Sequence, residues 1–138
     1  MTGAAGFVGR HLVAHLVAEG DEVLTTDRAS GGPDLLDREG LIELFTGLCP
    51  EVVFNMAGQA DVVKSWQEPL ETIRTNGEGT FNVLAAGRSA GVERVVTVIG
   101  SDIYGAVRSD ELPLDESAPL RPVSPYAASK AMADLIAQ

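Results

Sequence analysis

The stretch YAASK sets Tyr126 and Lys130 four residues apart, which on a helix puts both side chains on one face. A phenol of ordinary pKa, about 10, is a poor proton donor or acceptor at neutral pH. An ammonium beside it, joined by any second positive charge, favours the phenolate and brings the hydroxyl into a useful range. The pair is therefore suited to general acid–base work, with Lys130 as helper and as a donor to a bound ribose. Alone, Tyr-x-x-x-Lys recurs by chance in many helices, and a surface pair is the competing reading.

A second cluster lies at the start of the chain, where TGAAGFVGR places glycines at 3, 6 and 9. One glycine allows a tight turn, another lets the backbone approach a pyrophosphate, and the third lets the next helix pack closely. The free N–H groups and positive end of that helix would face the phosphates. The spacing is G-x-x-G-x-x-G, not the G-x-G-x-x-G of the standard dinucleotide fingerprint. Asp27 ends EVLTTD, where a carboxylate accepts both hydroxyls of an adenosine ribose and repels a 2′-phosphate. That favours NAD. Arg28 keeps NADP open, because a guanidinium can receive the phosphate. Asp34, with Leu35 opening the next helix, is either an N-cap or an adenine contact.

These residues need a scaffold, and the apolar spacing supplies one. Val8, Leu12, Val13, Leu16 and Val17 recur at helical intervals before Gly20, a natural helix stop. EVLTTD (22–27) reads as a short strand, and residues 35–48 return to helical spacing at Leu41, Leu44, Phe45 and Leu48. EVVFN (51–55) and RVVTVI (94–99) read as strands buried on both faces. A long helix is expected from about Pro69 to Ala90, a loop over 100–125, and a last helix running into the C-terminus. Strands alternating with helices imply an α/β, Rossmann-like, doubly wound parallel sheet. Residues 1–138 read as one partial dinucleotide-binding domain, cut at both ends: it starts past its first strand and stops within a helix. Trp66 and the stripe Ile73, Phe81 and Leu84 are expected in the core, and His11 and His15 on a solvent-facing helix side rather than on a metal.

Composition narrows the classes. A chain of 138 residues suits one domain, and 45% hydrophobic residues fit a globular core. A net charge of −10 argues against a sequence-independent grip on nucleic acid. A lone Cys49 excludes an internal disulfide and suits a reducing compartment. No segment is apolar for long enough to span a membrane. The expectation is a cytoplasmic protein with neither nucleic acid nor membrane as partner.

The blocks TGAAGFVGRHL, PDLLD, VVFNMAGQADVVKSWQEP, TNGEGTFNVLAAGRSAGVERVV, SDIYG and SPYAASK follow one another over nearly the whole chain. In that order and spacing they resemble the extended short-chain dehydrogenase/reductase family, the NAD-dependent epimerases and dehydratases of nucleotide sugars. NMAGQADV and the run from DIYGAV to SPYAASK look most like its GDP-mannose dehydratase and GDP-deoxyhexose reductase branch. The resemblance implies that the amides of Phe7 and Val8 meet the pyrophosphate. It also implies that Met56, Ala57 and Gly58 line the cofactor and that Asn76 supports the site. Tyr126 would be the acid/base, Lys130 its helper, NAD the cofactor with NADP as the variant, and an NDP-hexose the substrate. The family often dimerises through a pair of helices, which the 69–90 helix and the last helix could supply. Relatives carry Ser or Thr four residues before the Tyr of the Tyr-Gly pair, where this chain has Gly100. Either Ser101, one place along, supplies the hydroxyl, or the site has failed. Asp102 falls where the dehydratases place an acidic base. Relatives also continue past the last helix with a substrate-binding portion. Two expectations follow: the cofactor half of an epimerase, dehydratase or reductase, or a non-catalytic, degenerate nucleotide-binding remnant.

Overall fold

A computed structural model describes residues 1–138. Helix α1 (Phe7–Glu19) leaves the glycine loop and stops at Gly20, whose left-handed backbone lets its N–H return to the carbonyls of Leu16 and Val17. Helix α2 (Arg38–Leu48) starts from Asp37, whose carboxylate accepts the Gly40 amide at 3.0 Å. Strand β1 (Val52–Asn55) follows, then α3 (Val62–Gln67), α4 (Pro69–Ile73), a π-helical turn at Arg74–Glu78, and α5 (Gly79–Ala90). Strand β2 (Arg94–Thr97) and α6 (Pro125–Ala137) complete the chain. Helix α6 is entered through Ser124, whose hydroxyl accepts the Ala127 amide, with proline at the first helical position.

β1 and β2 pair in parallel, Val52 opposite Arg94 through Asn55 opposite Thr97, with α3 to α5 as the crossover. Thr2 forms parallel bridges to both Thr26 and Asn55. The lateral order is therefore the Thr26 segment, Met1–Thr2, β1 and β2, with helices packed on it: an α/β parallel arrangement of the kind expected. No helix is long and apolar enough to cross a membrane.

Several expectations are corrected. Residues 22–27 do not form a ladder strand; only Thr26 bridges. They meet Met1 and Thr2: the Met1 carbonyl accepts the Thr26 amide at 2.9 Å, and the Met1 nitrogen donates to the Leu24 carbonyl at 2.7 Å. Burial lowers the pKa of that amino group. Nor are β1 and β2 covered on both faces. Val53 and Asn55 are buried, whereas Val52 and Val96 stay exposed on the other side. The covered side faces one core built from Leu35, Leu41, Phe45, Val53, Val83 and Ala86, and packs α2 against α5.

Trp66 and Phe81 are exposed at 64% and 48%, and Ile73 and Leu84 are half-buried, so this stripe is not the core. The faces turned toward α6 are filled by small side chains instead. Ser65 and Thr72 are fully buried, as are Ala127 and Ser129 on α6. The approach is so close that a Cβ at Gly77 would lie 2.6 Å from the Met132 sulfur. Large residues have no room there and turn outward; Phe81 instead lies under the Arg38 guanidinium. His11 and His15 are exposed, as expected, and no group of three potential ligands could hold a metal.

Candidate functional site

The glycine loop turns at the ends of these extended segments and forms one wall of a cleft of about 300 Å³. Gly3 has φ +64°, and a Cβ on it would lie 2.6 Å from the Ala57 nitrogen and 2.8 Å from the Ala57 Cα. Only glycine permits both that backbone and that approach. The Gly6 amide closes the turn on the Gly3 carbonyl at 3.1 Å. Gly9 is buried, and a Cβ on it would overlap the Gly3 oxygen, so it seats α1 on the loop. Gly6 caps α1 with no side chain, and the amides of Phe7 and Val8 donate to no acceptor in the chain. Unspent donors at a positive helix end, over a turn whose glycines at 3 and 9 leave no room for a Cβ, are what a pyrophosphate requires.

Asp27, Arg28, Asp34, Leu35, Met56, Ala57 and Gly58 line the same cleft as Gly3 and Gly6. The Asp27 carboxylate accepts the Ala29 amide at 2.9 Å through Oδ1 and the loop amide of Ala5 at 3.2 Å through Oδ2. It is thus both a turn residue and a tie between the segment 22–27 and the glycine loop. Asp34 is not the helix cap; that is Asp37. One Asp34 oxygen accepts the Leu36 amide and the other meets Arg28 at 3.0 Å. Leu35 is buried in the core.

The wall opposite the loop is held by a polar network that reaches from Thr2 through Asn55 and Asn76 to Ser129. Thr2 Oγ1 donates to Asn55 Oδ1 at 2.7 Å and accepts the Ala57 amide at 3.2 Å, fixing where residues 56–58 leave β1. Asn76, buried in the π-helical turn, accepts the Gln59 amide at 2.8 Å. Its Nδ2 donates to the Gln59 carbonyl at 3.0 Å and to Ser129 Oγ at 2.8 Å. Ser129 in turn donates to the Tyr126 carbonyl at 2.7 Å. One asparagine therefore couples the cleft wall to the helix that carries Tyr126 and Lys130, and each of its polar atoms is satisfied. Asparagines inside a strand and a helix, unfavourable by propensity, were the sequence signal for this network.

Tyr126 and Lys130 project from α6 as the spacing predicts. Lys130 Nζ donates to the Val98 carbonyl at 3.0 Å and lies 3.8 Å from where a Gly58 Cβ would be, beside the cleft wall. Burial lowers its pKa. The Tyr126 phenol departs from expectation: its pKa is raised, first by burial and then by the Asp102 carboxylate, with no lowering from Lys130. Asp102→Asn is therefore expected to lower the Tyr126 pKa. An absorbance titration of the phenolate, with Tyr126→Phe to subtract Tyr104, reads that shift.

Gly100 has extended backbone, and a Cβ there would sit 3.8 Å from the Tyr126 hydroxyl and 3.6 Å from Asp102 Oδ2. Position 100 therefore faces the tyrosine. Ser101 opens the 3₁₀ turn Ser101–Tyr104, is exposed, and makes no hydrogen bond through its side chain.

A glycine turn at a helix start, an acid on the neighbouring extended segment, and a Tyr-Lys helix tied to the cleft wall through Asn76 and Ser129 define a Rossmann-type dinucleotide-binding fold. A family model, the NAD dependent epimerase/dehydratase family, matches residues 1–138, and the chain belongs to that family. It is 36% identical to the UDP-glucose 4-epimerase of Mycolicibacterium smegmatis, over 94% of this chain and 47% of that protein. It is also 36% identical to the GDP-6-deoxy-D-mannose reductase of Pseudomonas aeruginosa, over 97% of this chain and 44% of that one. The chain thus spans about half the length of the curated relatives it matches, and equal identity to a UDP-sugar and a GDP-sugar enzyme singles out neither branch. Among solved structures, the UDP-glucose 4-epimerase of Thermus thermophilus in complex with NAD matches with TM-score 0.87. The identity there is 38%, over 97% of this chain and 47% of that one. RMD from Pseudomonas aeruginosa complexed with NADPH matches with TM-score 0.80 and 31% identity, over 97% and 46%.

Proposed function

We propose that this chain is the cofactor-binding half of an NAD-dependent nucleotide-sugar epimerase, dehydratase or reductase. The observation that carries the reading is the cleft in which Gly3 meets Ala57 while the Phe7 and Val8 amides stand free. A pyrophosphate fits there, Asp27 and Asp34 face the adenosine end, and Met56, Ala57 and Gly58 form the wall toward Lys130. The nicotinamide supplies a hydride acceptor and donor at a sugar carbon. Lys130 holds the adjoining ribose, and Tyr126 takes the sugar hydroxyl proton and returns it. In the chain by itself burial and Asp102 raise the Tyr126 pKa, so the positive charge of an oxidised nicotinamide would be what favours its basic form. A nucleotide-sugar substrate follows from the family and from relatives whose names specify UDP-, GDP- and dTDP-sugars. Outward apolar residues on α3, α4 and α6, among them Trp66, Leu70 and Leu135, offer a face for a second copy, and a cytoplasmic setting suits the lone exposed thiol of Cys49. Incubation with NAD and UDP-, GDP- or dTDP-hexoses, with products resolved by chromatography, tests the reading; no conversion of any of them would sink its catalytic part.

One observation favours the second reading, a nucleotide-binding remnant that no longer turns over. Position 100 faces Tyr126 and carries no hydroxyl, while Ser101 is exposed beside it. The gap is wide enough for a side chain, since a Cβ would meet only ordinary van der Waals contacts. Gly100→Ser is accordingly expected to raise sugar turnover by about tenfold or more if the missing hydroxyl limits the reaction, the scale of one well-placed donor. Unchanged turnover in an active protein would assign the role to Ser101 or Asp102.

A further inference from the structure

The 3₁₀ turn Ser101–Tyr104 carries Asp102 to α6, and the chain that leaves it at Gly105 comes back to it at Arg121. We infer that the Glu111–Arg121 ion pair is a clasp that holds this turn, and with it the Asp102 carboxylate, against the Tyr126 phenol. Glu111 and Arg121 are thereby positioning residues for Tyr126. Their functional sense rests on the acid–base reading of that tyrosine given above.

The turn is tied at both its exit and its middle. The Gly105 amide donates to the Asp102 carbonyl at 3.0 Å, and the Arg121 amide donates to the Ile103 carbonyl at 2.9 Å. Ile103 itself is buried and seats the turn by its side chain. Gly105 has φ +68°, and a Cβ on it would overlap the Arg121 carbonyl oxygen, so the returning segment lies directly on the end of the turn. Position 100 shows where this leaves Asp102. One point, the place of a Cβ there, is 3.6 Å from Asp102 Oδ2 and 3.8 Å from the Tyr126 hydroxyl. Lys130, one turn along α6, is engaged by the Val98 carbonyl, and Asp102 is the charged group that acts on the phenol.

The Arg121 guanidinium is what fastens the returning segment. It donates through Nη2 to Glu111 Oε1, while Glu111 Oε2 accepts the Arg108 amide at 2.7 Å. The Arg108 amide first, and Arg121 with it, hold the Glu111 carboxyl below the usual carboxylate range, so it is ionised at neutral pH. Arg108 does not compete for it, because two of its guanidinium nitrogens meet Asp110 at 3.0 Å each. Glu111–Arg121 is the least exposed of the six ion pairs in the chain, though still at the surface. Such a pair contributes little to folding, so its loss is expected to show at Tyr126 rather than in stability.

The test is the titration of Tyr126, followed by the ring-carbon shift of labelled tyrosine, with Tyr126→Phe assigning its signal against that of Tyr104. Glu111→Gln keeps an oxygen for the Arg108 amide and removes the charge that Arg121 meets. It is expected to lower the Tyr126 pKa in the direction of Asp102→Asn and not beyond it, because the carboxylate is no longer held beside the phenol. Arg121→Gln, which keeps the backbone amide to Ile103, is expected to do the same, and Arg121→Lys to restore the parent value. In an Asp102→Asn background Glu111→Gln is expected to move nothing. An unmoved or raised Tyr126 pKa in the two glutamine variants overturns the inference. So does an equal fall with and without Asp102, since the pair would then act on burial of the phenol alone. The titration needs neither cofactor nor turnover, so its result is readable even if Tyr126 proves not to be the acid–base group.

Discussion

Gly3→Ala is expected to cost the chain about 2–5 kcal/mol and to remove cofactor binding with it. A left-handed backbone costs an L-residue about 1–2 kcal/mol. The new methyl adds about 1–3 kcal/mol of overpacking. It would press on the Ala57 nitrogen and Cα and the Met56 carbonyl carbon, which are backbone and cannot turn aside as a side chain would. The loop and the wall at 56–58 must then separate, and those two surfaces are the cleft. Gly20→Ala supplies the control: its φ is +95° but nothing lies within 4 Å of the added methyl, so only the backbone cost applies. Urea denaturation of the two variants separates the terms. Equal losses at the two positions would mean that the Gly3–Ala57 approach is not tight in solution.

The second large effect concerns chemistry. If the protein converts a nucleotide sugar, Tyr126→Phe is expected to lower kcat by about 10²–10⁴-fold, the range of a positioned acid–base group. Cofactor affinity should hardly move, because the phenol is aimed at Gly100 and Asp102 while the pyrophosphate donors lie on α1. The pH profile carries the same information. Burial and Asp102 raise the Tyr126 pKa, so a step that uses the phenolate should quicken as pH rises. Asp102→Asn removes one of those causes and should move that profile toward lower pH. A kcat within a few-fold of the parent in Tyr126→Phe would take the proton-transfer role from this residue.

Local spacing made several elements legible. The α1 periodicity with Gly20, the apolar runs at β1 and β2, and the Ser124-Pro125 entry to α6 each carry their own signal within a few residues. What the sequence hid was set by distant partners. Residues 22–27 have strand composition, yet Thr26 alone bridges, to Thr2, and the others join no ladder. Trp66 looks like a core residue by type, but Ser65 and Thr72 fill the contact with α6 and leave it outside. Helix α3 is only six residues long, too short for its apolar residues Val62, Val63 and Trp66 to show a helical period, and all three are exposed. Its Asp61 cap was the only local clue.

The site divides the same way. The glycine loop, Asp27 and the Tyr-Lys spacing are local patterns with chemical content, and the structure gathers the first two into one cleft with Asp34 and residues 56–58. The direction of the Tyr126 pKa could not be read locally, since it depends on burial by the folded chain and on Asp102, which lies outside the helix that carries the phenol. The ties from Thr2 to Asn55 and from Asn76 to Ser129 likewise join residues more than fifty positions apart.

The loop at Gly3 and the wall at Ala57 together form the dinucleotide cleft proposed above. Titration of the chain with NADH, followed by nicotinamide fluorescence, reads occupancy of that cleft. The expected result is saturable binding that NAD displaces, that Gly3→Ala abolishes and that Gly20→Ala retains. A folded chain that binds no NADH up to millimolar concentration would contradict it.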